Sequence, residues 1–109
     1  MEQNDFPGIT IIESNMLKSG MGVCMPPFGI VVYRGVSLAL KQHEYGHFLQ
    51  YRQMGFFRFY LTVGFPSLWS ATFFPKNHIN LKVEKDANKR ASIFFGKDAP
   101  ISNVLLWPQ

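Results

Sequence analysis

The chain is short of cysteine, of charge and of unbroken apolar runs, and each shortage closes off a class of protein. Cys24 is the single cysteine among 109 residues, which excludes an internal disulfide framework and is compatible with a reducing compartment. Lys and Arg number 11 and Asp and Glu 7, for a net charge of +4. That balance tolerates acidic surfaces, but the cations are scattered. Their densest group, Lys82, Lys85, Lys89 and Arg90, reads as a solvated helix face, so no nucleic-acid partner is expected. Residues 1–5 are polar and acidic, unlike the start of a secretory signal, and a cytoplasmic location is the expectation. Residues 56–75 are largely apolar, with Arg58 as their only charge, and have the length of a membrane span. Gly64, Pro66, Ser67, Ser70 and Thr72 dilute that stretch. Core packing or a lid over a substrate is its expected use, with association at a membrane surface as the alternative.

What the chain has in abundance is phenylalanine, with 11 Phe. Such rings bury much area per side chain, which suits a core built from so few residues. The length allows a single domain, 1–109, around one core. Ile9, Ile11 and Ile12 mark a short strand at 8–13, and an apolar, β-branched run marks a second at 28–33. Residues 19–27, rich in Gly, Met and Pro, read as a loop. Residues 36–54 form the clearest helix, with Ser37 as its cap and Gly55 as its stop. Across 56–75 the pattern predicts a short helix or extended piece, a turn at 64–66 and a helix from Pro66. A polar connector at 76–82 carries His78. Residues 84–95 form a second helix stopped by Gly96, and the tail, 97–109, is expected to be irregular and packed on the domain. The class is α+β: a short sheet packed on two helices.

Within the first helix, His43-Glu44-Tyr45-Gly46-His47 spells HExxH. Two imidazoles four residues apart on a helix point the same way and can grip one zinc ion. Glu44, beside them, is placed to act as general base on a water activated by the metal. Val36, Leu40, His43, His47, Gln50 and Met54 follow a three-four spacing, so the histidines interrupt an inward stripe. Gly46 weakens the helix by about 1 kcal/mol relative to Ala, but it lets another backbone approach closely beneath the site.

A catalytic zinc takes three protein ligands and keeps a fourth position for water. Glu84, His78 and Asp86 all have the chemistry to be the third ligand. Glu84 leads because it begins a helix and opens the run E-x-x-A-N, Glu84 to Asn88. Asn88 lies one turn later on the same face, where its amide oxygen can accept the Nδ1–H of a ligating histidine. Ala87 and Ala91 are small enough to let this helix lie close to the first. Cys24 could ligate zinc as a thiolate, but a small buried core residue is its expected role.

HEYGH at 43–47 followed by E-x-x-A-N at 84–88 resembles the small gluzincin-type metallopeptidases of bacteria. These include repressor-cleaving peptidases of mobile elements and minimal, single-domain minigluzincins. Residues 40–91, roughly half of the chain, also resemble small bacterial proteins that order their motifs alike. Those carry HEYGH, a Gly-aromatic stretch, a Gly-x-Pro-Ser turn (here Gly64-Phe65-Pro66-Ser67) and E-x-x-A-D/N. The resemblance implies a minimal zincin-like fold, zinc held by His43, His47 and Glu84, and Glu44 as general base. Many relatives carry Asp where this chain has Asn88, which keeps the geometry of the acceptor and weakens it.

The expected function is therefore zinc-dependent hydrolysis of peptide bonds, by an endopeptidase acting on a polypeptide substrate. Tyr45, Tyr51, His78 and Arg90 are candidates to donate to the oxyanion. A strand at 29–33 is expected either to lie exposed and pair with an extended peptide or to sit inside the sheet and cover the helix. Two other readings stand beside the enzyme. One is a catalytically silent zinc-binding module, and the other a membrane-associated interaction protein built on 56–75.

Overall fold

Three short strands and a set of helices make up the α+β domain, seen in a computed structural model that describes residues 6–73 and 82–102. The strands are β1 (Ile11–Ser14), β2 (Gly22–Met25) and β3 (Gly29–Tyr33). β3 is central: β1 pairs with it in parallel and β2 antiparallel, with Ile11 opposite Ile30 and Cys24 also opposite Ile30 from the other side. One sequence expectation gives way here, and one open alternative is resolved. Residues 19–27 are not all loop, since β2 lies within them. Gly and Met at its ends hide a strand that exists because β3 supplies its hydrogen-bonding partner. Of the two alternatives for 29–33, the interior one holds. It is the interior strand, with Ile30 and Val32 fully buried, and β2 is the edge nearer the histidines.

The first long helix, α1 (Leu38–Met54), starts two residues later than the periodicity suggests. The Ser37 hydroxyl accepts the Leu40 N–H at 3.1 Å and satisfies one of the free donors of the first turn. Gly55, at φ +89°, ends it and donates its N–H to the Tyr51 carbonyl. Its middle is buried nearly all round rather than along one stripe, because the sheet covers one side and a second helix another. Tyr45 is fully buried among the rings of Phe6, Phe48, Phe94 and Phe95. Its hydroxyl donates to the Pro7 carbonyl.

After Gly55 the chain stays helical through α2 (Phe56–Phe59), a π-helical turn (Tyr60–Gly64) and α3 (Phe65–Phe73). The turn expected at 64–66 is absent. The Phe65 N–H bonds back to the Tyr60 carbonyl, five residues earlier, so the wide turn carries the chain past Gly64. Pro66 follows directly on this wide turn, as the second residue of α3. Core packing of this stretch is also overturned for most of it. Phe59 and Val63 are buried, but Phe57, Leu61, Phe65, Trp69 and Phe73 are exposed. Among the described residues no helix is long and apolar enough to cross a membrane.

The last helix, α4 (Lys82–Phe95), begins two residues before the expected start and ends at Gly96, whose φ of +94° no ordinary side chain favours. A 3-10 turn, Pro100–Ser102, follows in a tail expected to be irregular. Ile101 within it is buried, and its N–H donates to Gln42 Oε1 at 3.0 Å, which fastens the tail to α1. The connector around His78 and the apolar run at 104–107 lie outside the described residues.

Candidate metal centre

Two helices can bring side chains to one metal ion only if their axes approach closely, and Gly46 and Ala87 set that approach. A Cβ placed on Gly46 would fall on the Ala87 carbonyl of α4. The glycine inside HExxH is thus the seat of the second helix, as its sequence position suggested. Ala87 and Ala91 are fully buried in the contact.

Across this crossing three donors converge. Glu84 Oε1 lies 2.9 Å from His43 Nε2, and the same carboxylate lies 3.1 Å from His47 Nε2. The ligand atoms of His43, His47 and Glu84 all lie within 4.8 Å of one another. His43, His47 and Glu84 are 3%, 4% and 0% exposed, and burying two imidazoles and a carboxylate together needs a strong compensating interaction. A zinc ion would hold such donors roughly 3.3 Å apart, so each histidine would move from the carboxylate by only a few tenths of an ångström.

The outer faces of both rings are held. Asn88 Oδ1 lies 2.6 Å from His43 Nδ1, and Gln50 Oε1 lies 2.7 Å from His47 Nδ1. The second amide fixes the tautomer. Gln50 Nε2 donates to the Val83 carbonyl at 2.9 Å and to Asp86 Oδ2 at 2.8 Å, so its oxygen is the atom facing the ring, and His47 Nδ1 must donate. That leaves Nε2 as the atom with a lone pair for a cation. Gln50 stood on the inward stripe in the sequence, yet nothing there gave it a role. Its signal is only that a fully buried amide three residues after a ligand histidine must find partners.

The other candidates for third ligand fare differently. Asp86 is two residues from Glu84 and faces elsewhere on α4, taken up by Gln50 and by Arg90 Nε at 2.6 Å. Partial burial alone would raise its pKa, but these hydrogen bonds and the cations of Arg90 and Lys89 hold it lowered. His78 lies outside the described residues. Cys24 is buried and does not join the three donors. Burial first, and the charge of Glu44 second, push its thiol well above the ordinary range, so it stays protonated.

Electrostatics within the cluster favour positive charge. Burial would lower the pKa of His47, but the Glu84 carboxylate against it, aided by Glu44 and Gln50, outweighs this and raises it to about 9. A site that holds a proton so firmly also suits a metal cation in the proton's place. Glu44 is buried beside this group, on α1. Its neighbour across the gap is Gly22 of β2, where a Cβ would come within 3.1 Å of Glu44 Cγ. The edge strand therefore runs over the acid with no side chain between them.

Two of the named oxyanion donors are engaged elsewhere. Tyr45 turns its hydroxyl to Pro7, and Arg90 pairs with Asp86. Tyr51 packs against Phe48 and Phe59 in the core.

The chain matches no family model, no curated protein and no solved structure.

Proposed function

We propose that the protein is a zinc-dependent hydrolase of peptide bonds with a gluzincin-like ligand set, His43, His47 and Glu84. One observation carries this reading. Both imidazoles are pinned through Nδ1 by amide oxygens, and their Nε2 atoms meet on a single buried carboxylate. A zinc ion bound there supplies Lewis acidity toward a carbonyl and makes water acidic near neutral pH. Every other task falls to the chain. Glu44 takes the proton of the attacking water and returns it to the leaving amine, the work of a general base and then a general acid. Asn88 and Gln50 keep the rings turned so that both Nε2 atoms face inward. α1 and the sheet exclude water from the back of the site, which strengthens each charge interaction inside it.

The edge of the sheet offers the substrate a place. β2 is one of the two outer strands, and Gly22 leaves its backbone next to Glu44 without an intervening side chain. An extended polypeptide added along that edge would be held through main-chain hydrogen bonds, with its scissile bond passing the acid. Recognition of this kind suits cleavage within a chain rather than at its end. The zincin-like character of the fold belongs to the same proposal.

The test compares the wild type with Glu44→Gln on a mixture of unstructured peptides in the presence of zinc. The variant should keep its zinc and lose hydrolysis by roughly 100-fold or more, the share typical of a general base. Wild type that cleaves no faster than Glu44→Gln would make the cluster a silent zinc-binding module.

A further inference from the structure

The helical arm after α1 carries a feature that the hydrolase reading does not use. Phe57, Leu61, Phe65, Trp69 and Phe73 recur every fourth residue, and their exposures run from 79% down to 59%. In an unbroken α-helix, residues four apart advance by about 40° each step, so these five would wind over roughly 160° of the surface. The π-helical turn at Tyr60–Gly64 rotates less per residue and takes back part of that drift. Its effect is to hold the five side chains nearer to one stripe. Phe59 and Val63 meanwhile anchor the opposite side in the core.

Charge along this part of the sequence is of one sign. From residue 45 to residue 83 the sequence contains no Asp or Glu, while Arg52, Arg58, Lys76 and Lys82 fall within it. Thr62, on the π-helical turn, touches Met54 with Oγ1 3.6 Å from Sδ. Met54 in turn lines an open depression of about 450 Å³ with Lys82, Lys85, Lys89 and Arg90. Asp86 also lines it, but Arg90 takes that carboxylate. The apolar arm thus adjoins a basic depression through Met54.

We infer that this arm docks the protein onto the surface of an anionic lipid bilayer. The stripe, Trp69 and Phe57 above all, enters the headgroup and upper acyl region, while the basic residues meet lipid phosphates and carboxylates. Shape separates this from a peptide-binding site. Side chains exposed to such an extent stand on a ridge, and a peptide or small molecule needs a concavity, whereas a bilayer yields around a ridge. Charge separates it from self-association. Two copies meeting through this face would bring cations together without a carboxylate between residues 45 and 83 to pair with them. The arm lies on the membrane rather than across it, since no described helix has the length to span one. The inference stands apart from the hydrolase reading, because none of its residues belongs to the metal cluster.

Flotation of the full chain with phosphatidylcholine vesicles, with and without phosphatidylglycerol, tests it. The protein should float with the anionic vesicles and much less with the neutral ones, and added salt should weaken binding. Phe57→Ser combined with Trp69→Ser should bind at least roughly tenfold more weakly, as loss of two buried aromatic contacts implies, with circular dichroism unchanged. In a Trp107→Phe background, Trp69 fluorescence should shift to the blue when anionic vesicles are added. Protein that stays at the bottom of the gradient overturns the inference. So does vesicle binding indifferent to the double variant, or a dimer on gel filtration that the double variant dissolves.

Discussion

Gly46 of α1 lies so close to Ala87 of α4 that a methyl group at position 46 would occupy the space of the Ala87 carbonyl. This contact sets the helix spacing on which the approach of Glu84 to His43 and His47 depends. Gly46→Ala therefore poses two effects against each other. Helix propensity alone would stabilise the variant by about 1 kcal/mol, but overpacking costs about 1–3 kcal/mol and pushes α4 outward. We expect net destabilisation together with loss of zinc affinity, read from urea unfolding and a zinc titration. A variant more stable than wild type would mean that the helices do not cross this closely.

Asn88 offers a test in the opposite direction. Its Oδ1 holds His43, yet its buried Nδ2 has no hydrogen-bond partner among the described residues. Asn88→Asp thus gives up no hydrogen bond and places a charged acceptor behind His43, which makes the ring a better ligand. Zinc affinity should hold or rise in Asn88→Asp and fall by about 10–100-fold in Asn88→Leu. Competition with a chelating dye separates the two.

Gln50 acts through His47 and not on the metal. Gln50→Leu removes the acceptor behind the ring and leaves Asp86 with Arg90 alone. Zinc affinity should fall by about 10–100-fold. Glu44, the proposed base, is untouched, so the pH profile of any peptide hydrolysis at saturating zinc should keep its shape. A profile displaced along the pH axis would give Gln50 a more direct part in proton transfer.

The pH dependence follows from His47. Its pKa is raised to about 9 in the folded protein without metal, from the ordinary imidazole value of 6.5. A raised folded-state value means that the charged ring stabilises the metal-free fold fully below about 6.5, and that this contribution is lost as pH rises through about 9. Zinc must displace the same proton, so zinc affinity should climb with pH up to about 9. Calorimetry at pH 7 in buffers of different ionisation enthalpy should report release of about one proton per zinc ion from His47. Release of none would show that His47 is already neutral in the metal-free protein.

Much of the site was legible because its signals are local. HExxH places His43, Glu44 and His47 on one helix, Ser37 and Gly55 bound that helix, and Glu84 and Asn88 share a face by spacing alone. Asp86 could have been set aside on the same ground, since residues two apart point to different sides of a helix. What the sequence hid was non-local. Gly22 to Met25 becomes a strand only beside β3, and that pairing decides that 29–33 is interior and β2 an edge. Gln50 gains its role only when Val83 and Asp86 of α4 arrive to claim its Nε2. Gly64 and Pro66 look like a break because nothing local announces that a π-helical turn will carry the backbone through. The exposure of Phe57, Leu61, Phe65, Trp69 and Phe73 was likewise unreadable, because the hydrophobicity of a residue does not say which surface will meet it.

The central claim is that His43, His47 and Glu84 jointly hold one zinc ion. Zinc stoichiometry of the purified full chain, measured beside His43→Ala, His47→Ala and Glu84→Ala, tests it most directly. One zinc is expected per wild-type chain and per Glu44→Gln chain, with loss of the metal in each of the three alanine variants. Zinc content in Glu84→Ala equal to that of the wild type would contradict it.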